Sequence, residues 1–209
     1  MFTLFRKKRL TLLSSLALLS STLLADLSPV KEEGLGMEFN LAKRWALVTA
    51  DDNRLGLIGY NLDGYFYYQW AQSNFKLALG PDLQINWAEE HLDNSKKNFD
   101  FASVSLGAKV LASYKVSIAE PFAYLEYSYG SAAFQARDKN DNDKIKGTAK
   151  GFEYGLGTRI FVSSTQAFSI FYAMEHGKLT SLKATNHNND IPELTVRASK
   201  LGVGFSFLL

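Results

Sequence analysis

Apolar and polar residues alternate along most of the chain, and the alternation has period two. The stretch from Phe75 to Ala88 carries it most regularly. Phe75, Leu77, Leu79, Leu83, Ile85 and Trp87 fall on one side, and Lys76, Ala78, Gly80, Asp82, Gln84 and Asn86 fall on the other. Successive side chains of a strand point to opposite faces, so this pattern predicts a strand with one apolar face. Seven further stretches repeat it: from about Leu35 to Val48, Leu55 to Gln69, Phe101 to Ser113, Ala119 to Ala136, Thr148 to Val162, Ala167 to Leu182, and from about Leu194 onward. In the last of them Leu201, Val203, Phe205 and Phe207 oppose Lys200, Gly202, Gly204 and Ser206. Strict alternation also places Lys43 on an apolar face, where either its amine reaches past the apolar belt to a polar interface or a bulge turns it inward.

The breaks between these stretches alternate in character. "ADDNR", "EEHLDNSKKN", "RDKNDNDKIKG" and "KATNHNNDIPE" are charged and mostly long, whereas "WAQSN", "SYKVS" and "SSTQ" between them are all short. With eight strands in sequence order, all the charged breaks fall at one end and all the short ones at the other. Bacterial outer-membrane barrels have this asymmetry, with short periplasmic turns and longer outer loops.

An apolar face on every strand has to be covered. A water-soluble barrel of the lipocalin kind turns it inward, and a transmembrane barrel turns it to lipid. The opposite face decides between them. It carries Glu38, Arg44, Asp63, Lys76, Asp82, Lys109, Glu126, Glu153, Arg159, Glu175 and Lys200, interleaved with glycines. A tightly curved small barrel needs small residues inside, whereas a lipocalin has no reason to set glycine on its solvent face. The fold class expected is therefore all-β, an eight-stranded antiparallel up-and-down transmembrane β-barrel. The strands exceed the roughly 10 residues that cross a bilayer at a tilt.

The N-terminus adds a destination. Arg6, Lys7, Lys8 and Arg9 precede an apolar run from Leu10 to Ala25, the layout of a secretory signal peptide. The expected division is a cleaved signal over 1–25 and a barrel domain over 26–209. The first 25 residues hold four of the 23 Lys and Arg and none of the 21 Asp and Glu, which leaves 19 basic against 21 acidic residues. That balance gives no case for a nucleic-acid partner. No Cys occurs, so the chain is neither a lipoprotein nor a disulfide scaffold.

These residues resemble the small outer-membrane barrels of the OmpA/OmpX type, often described as porin-family or opacity-like proteins. The segment "KLGVGFSF" is similar to the C-terminal signal read by the barrel-assembly machinery, with Lys200, Gly202, Phe205 and Phe207 filling its positions. The resemblance implies residence in the bacterial outer membrane as a monomer. It also implies insertion by that machinery, contact with outer-membrane lipid and lipopolysaccharide, and a surface on which outer loops can meet an extracellular ligand.

Little in the sequence speaks for catalysis. His91 and His187 fall in charged breaks, and "DKNDND" lacks the Gly and distal Glu of a calcium loop. No cofactor or metal is expected. The alternative is a lipid A-modifying hydrolase built on Glu175, His176 and Ser181, an acid, a base and a nucleophile. Five residues separate His176 from Ser181, which under strict alternation sets them on opposite faces about 16 Å apart. A non-catalytic role in envelope integrity or surface interaction is the main expectation. The six acids and five bases of the polar face suggest a lumen plugged by ion pairs, the alternative being a narrow passive pore. Trp45, Trp87, Tyr129 and Tyr172 are expected at the lipid headgroups.

Overall fold

A computed structural model describes residues 32–50, 53–90, 98–137, 144–184 and 190–209. The expected signal segment, His91, His187 and the "DKNDND" run lie outside the described residues. Eight long strands follow one another: β1 (Gly34–Ala50), β2 (Asn53–Gln72), β3 (Phe75–Glu90), β4 (Asn98–Tyr114), β5 (Ala119–Arg137), β6 (Lys144–Phe161), β7 (Gln166–Ala184) and β9 (Leu194–Leu208). A two-residue strand, β8 (Asp190–Ile191), pairs with the end of β7. Each long strand is antiparallel to its sequence neighbour, and β1 pairs with β9 to close the ring.

The joins at one end are tight. Ser73 and Ser117 take positive φ angles of 58° and 59° in the β2–β3 and β4–β5 turns. Val116 and Ala119 exchange backbone hydrogen bonds of 2.7 and 3.0 Å around the latter. In the β6–β7 turn the Ser163 hydroxyl accepts from the backbone N–H of Gln166 at 3.1 Å.

The apolar face points out. Leu79, Leu83, Ile85, Leu106, Leu125, Leu156, Ile170 and Val203 are all exposed, whereas Arg44, Lys76, Lys109, Arg159 and Lys200 are fully buried. This inverts a soluble protein, and a lipid covering is what makes it stable.

The register fixes the barrel's dimensions. A hydrogen-bonded row from Gly34 runs through Gln69, Ala78, Leu111, Tyr124, Gly155, Ala173 and Lys200 and returns to β1 at Arg44, ten residues further on. With strands about 4.8 Å apart and a rise of about 3.3 Å per residue, that offset gives a tilt of about 41° and a radius of about 8 Å. Each residue then climbs about 2.5 Å along the barrel axis, and each step around the ring in the order β1 to β9 climbs about 3 Å.

One irregularity interrupts the alternation. Between Lys146 and Thr148 on β6 the pairing with β7 shifts by a residue, and Ser181 in β7 has φ of 55°. Ser181 is the extra residue of a bulge, so Leu182 points inward and Ser181 outward, the reverse of strict alternation. Gly147 makes the bulge possible, because a Cβ there would lie 2.5 Å from Leu182 Cδ2. Lys43 needs no such device. β1 pairs with both neighbours in unbroken register, and Lys43 points outward with Nζ 5.3 Å from the centre of the Trp45 ring.

Candidate functional site

Inward positions of all eight long strands converge on one column of charge. Near the short-turn end, Arg159 of β6 donates from Nε to Glu38 of β1 at 3.0 Å and forms a second bond to it from Nη2. Its Nη1 donates to Glu120 of β5 at 3.2 Å. Glu120 also accepts from Lys76 of β3 at 2.6 Å and from the Ser113 hydroxyl at 2.9 Å. Asn40 links this layer upward, donating to Glu38 at 3.0 Å and to Asp63 at 2.8 Å.

The middle layer centres on Lys109 of β4. Its ammonium lies 4.0 Å from Asp63, 3.9 Å from Asp82 and 3.8 Å from Glu126. It also sits over the Tyr124 and Tyr65 rings, at 4.5 and 5.1 Å from their centres. Gln84 donates to Glu126 at 2.7 Å, and the Tyr124 hydroxyl donates to Glu153 at 2.6 Å.

Above this, Lys200 of β9 donates to Glu153 at 2.5 Å and lies 3.5 Å from Glu175. Arg44 of β1 clamps Glu175 of β7 with two bonds of 3.1 Å. A void of about 20 Å³ remains beside Arg44, Gln84 and Glu175, close to the smallest volume that holds a water molecule. Toward the outer end the lumen turns apolar, with Val48, Leu57, Phe101, Phe134, Leu179, Leu182 and Val196 in one buried cluster.

All eleven charged residues expected on the inner face point into the lumen, where ten are buried and Glu175 keeps 19% of its side chain exposed. A twelfth, Glu120, belongs with them and escaped the sequence reading. Its signal was parity, since it falls two residues before Phe122 and four before Tyr124 on the same face. Pro121 beside it obscured the start of the strand. Glu120 changes the balance of the column to seven carboxylates against five cations, and Glu90, nearer the outer end, also falls on the inner face. The excess gathers around Lys109, where three carboxylates share one ammonium.

The hydrolase constellation does not assemble. The bulge corrects one expectation, because His176 and Ser181 both point outward and share a face. Five residues still separate them along the strand. The His176 ring stacks on Tyr154, with centroids 5.9 Å apart and Nε2 3.4 Å from the tyrosine hydroxyl. Glu175 points the other way, into the lumen, and is held by Arg44 and Lys200, so it cannot orient the imidazole. No group of three or more His, Asp or Glu among the described residues is placed to hold a metal.

The four residues matched to the assembly signal divide between two environments. Lys200 belongs to the charge column. Gly202 leaves room for Phe171, whose Cζ would lie 2.5 Å from a Cβ there. Phe205 and Phe207 face the membrane side, 5.8 Å apart, with Phe205 5.1 Å from Phe168 and Phe207 6.0 Å from Phe39.

No family model matches the sequence, and no curated protein matches it. Solved structures do. Neisserial surface protein A is similar with a TM-score of 0.52 and 14% identity, over 84% of this chain and 97% of that one. The outer membrane protease OmpT of Escherichia coli is similar with a TM-score of 0.51 and 7% identity, over 88% of this chain and 99% of that one. At such identities the likeness is one of fold.

Proposed function

Starting from a chain with the fold of the small outer-membrane β-barrels, we propose a non-catalytic protein of the bacterial outer membrane that contributes to envelope integrity or surface contact, with a lumen closed to ions. The observation that carries this reading is the continuous column of paired charge. It engages every strand of the ring, from Lys76 and Glu120 near one end to Arg44 and Glu175 toward the other. At a radius of about 8 Å a lumen has room for side chains and little else. The assembly machinery reads the Lys200 to Phe207 segment, and the protein works as a monomer in lipid, meeting any extracellular ligand through its outer loops.

Planar-bilayer recording tests the closure. Purified monomer should give no sustained conductance, and a steady, large, ion-selective current would overturn the reading. Lipid A composition tests the absence of catalysis. It should be the same by mass spectrometry in a wild-type and a deletion strain, and loss of a deacylated species would overturn it.

A further inference from the structure

The outer surface of β6, β7 and β9 is basic where the apolar belt ends. Lys150 and Lys178 stand directly opposite each other in the register, and Arg197 stands opposite His176 one step below. Two further lysines, Lys146 and Lys183, oppose each other toward the loops. Like charges at directly opposed positions destabilise a strand pair. Glu193 answers one of them, at 2.5 Å from Lys178 Nζ, and the hydrogen bond from Lys178 holds its carboxyl below the ordinary value. Arg197 makes no ion pair among the described residues, and Lys150 is attracted by the Glu193 carboxylate only from beyond ion-pair distance. At the same end of the opposite wall Glu89 opposes Asp100, and Lys144 lines the same surface hollow.

Height along the axis gives this patch its meaning. From the tilt and register, Lys150, Lys178, Arg197 and His176 fall within about 5 Å of one level, the level of Trp45 and Trp87. Beneath them lies a groove of about 460 Å³ lined by Tyr127, Phe152 and His176 and rimmed by the three cations. Tyr127 and Phe152 pack with ring centroids 4.8 Å apart. Cations over an aromatic groove at the lipid–water boundary match an amphiphile with an anionic head and apolar chains.

We propose that this face holds a phosphorylated lipid of the outer leaflet, its phosphate on Lys150, Lys178 and Arg197 and its chains along Tyr127 and Phe152. The phosphate offsets the repulsion between the opposed lysines, which Glu193 meets only in part. The proposal rests on placement in the outer membrane and is independent of whether the lumen conducts.

The test uses the full barrel in detergent micelles with EDTA present, so that divalent cations bridge nothing. Native mass spectrometry then measures binding of bisphosphorylated lipid A, of the same lipid with its phosphates removed, and of inorganic phosphate. The phosphorylated lipid should bind at least about tenfold more tightly than the phosphate-free one. The triple variant Lys150→Gln, Lys178→Gln, Arg197→Gln should lose that preference, while Lys115→Gln at the other rim keeps it. Heat-modifiable gel migration reports folding. If the triple variant does not fold, Arg197→Gln alone decides, with an expected loss of about threefold. Equal binding of the two lipids, an undiminished preference in the variants, or displacement of lipid by millimolar inorganic phosphate would overturn the proposal.

Discussion

Arg159 joins three strands through one guanidinium, bonding Glu38 on β1 and Glu120 on β5 from its place on β6. Removing it leaves Glu38 without its ion-pair partner, while Glu120 keeps Lys76, and a broken buried pair typically costs about 3–5 kcal/mol. Arg159→Ala should lower the urea unfolding midpoint of the lipid- or micelle-embedded barrel by a corresponding amount. Arg159→Lys should recover only part of the loss, since an ammonium cannot reproduce the fork. Lys115, which meets Glu32 at 3.2 Å at a solvent-exposed rim, is the contrast. Lys115→Gln should change stability by less than about 1 kcal/mol. Parity alone places Arg159 and ten other charges inside. The partner of each was not legible, because pairing follows from how strands meet across the lumen. Arg159 and Glu38 are far apart in sequence and meet only once the ring has closed.

At the scale of the strand, β7 shows where alternation stops being a guide. Its period holds from Phe168 to Leu179 and then slips at Ser181, a shift that nothing in the apolar pattern announces. The slip swaps faces for all that follows, so Leu182 joins the buried apolar cluster. A left-handed φ costs an L-residue about 1–2 kcal/mol, and glycine avoids that cost. Ser181→Gly should therefore leave stability unchanged or raise it by up to about 1 kcal/mol, and a β-branched Ser181→Val should lower it. Both are read from unfolding midpoints. For β9 the pattern was fully legible, because Phe205 and Phe207 keep their period and meet aromatic neighbours on β7 and β1. The double change Phe205→Ala, Phe207→Ala should reduce the heat-modifiable folded fraction in membranes well below that of a double alanine change at rim residues. Normal insertion would mean that the segment is not what the assembly machinery reads.

For the whole molecule, the strand count and the sidedness of the joins could be read from the chain, but the ten-residue offset on closure could not. It is a property of all eight registers together, and no single strand encodes it. The offset matters for depth. Trp45, Trp87 and Tyr129 fall within about 4 Å of one level along the axis, while Tyr172 falls about 10 Å lower, inside the apolar belt. Tyr172 thus departs from the interfacial ring expected of it, because its ladder row runs through Leu201 to Lys43, already below Trp45, and drops about 3 Å at each step from β1 through β9 to β7. Spin labels at positions 45, 87 and 129 should report headgroup polarity, and a label at 172 should report hydrocarbon. A polar signal at 172 would require a different closure offset. Lys43 lies about 5 Å below Trp45 and leans its ammonium toward that ring, so its charge is carried upward to the interface.

The ion pairs in the lumen have a consequence for how the protein is made. Arg44 bonds Glu175 across the β1, β9 and β7 seam, and Lys76 bonds Glu120 across the β3 to β5 arc. Five of the nine ion pairs in the column join strands that are not neighbours, so a sheet with several strands inserted and its edges still apart would present unmatched charges to hydrocarbon. Each such charge is costly at that depth. Partly inserted sheets are thereby penalised: Glu153 gains Lys200 only when the last strand, β9, joins, so sealing of the ring and pairing of its charges are completed together.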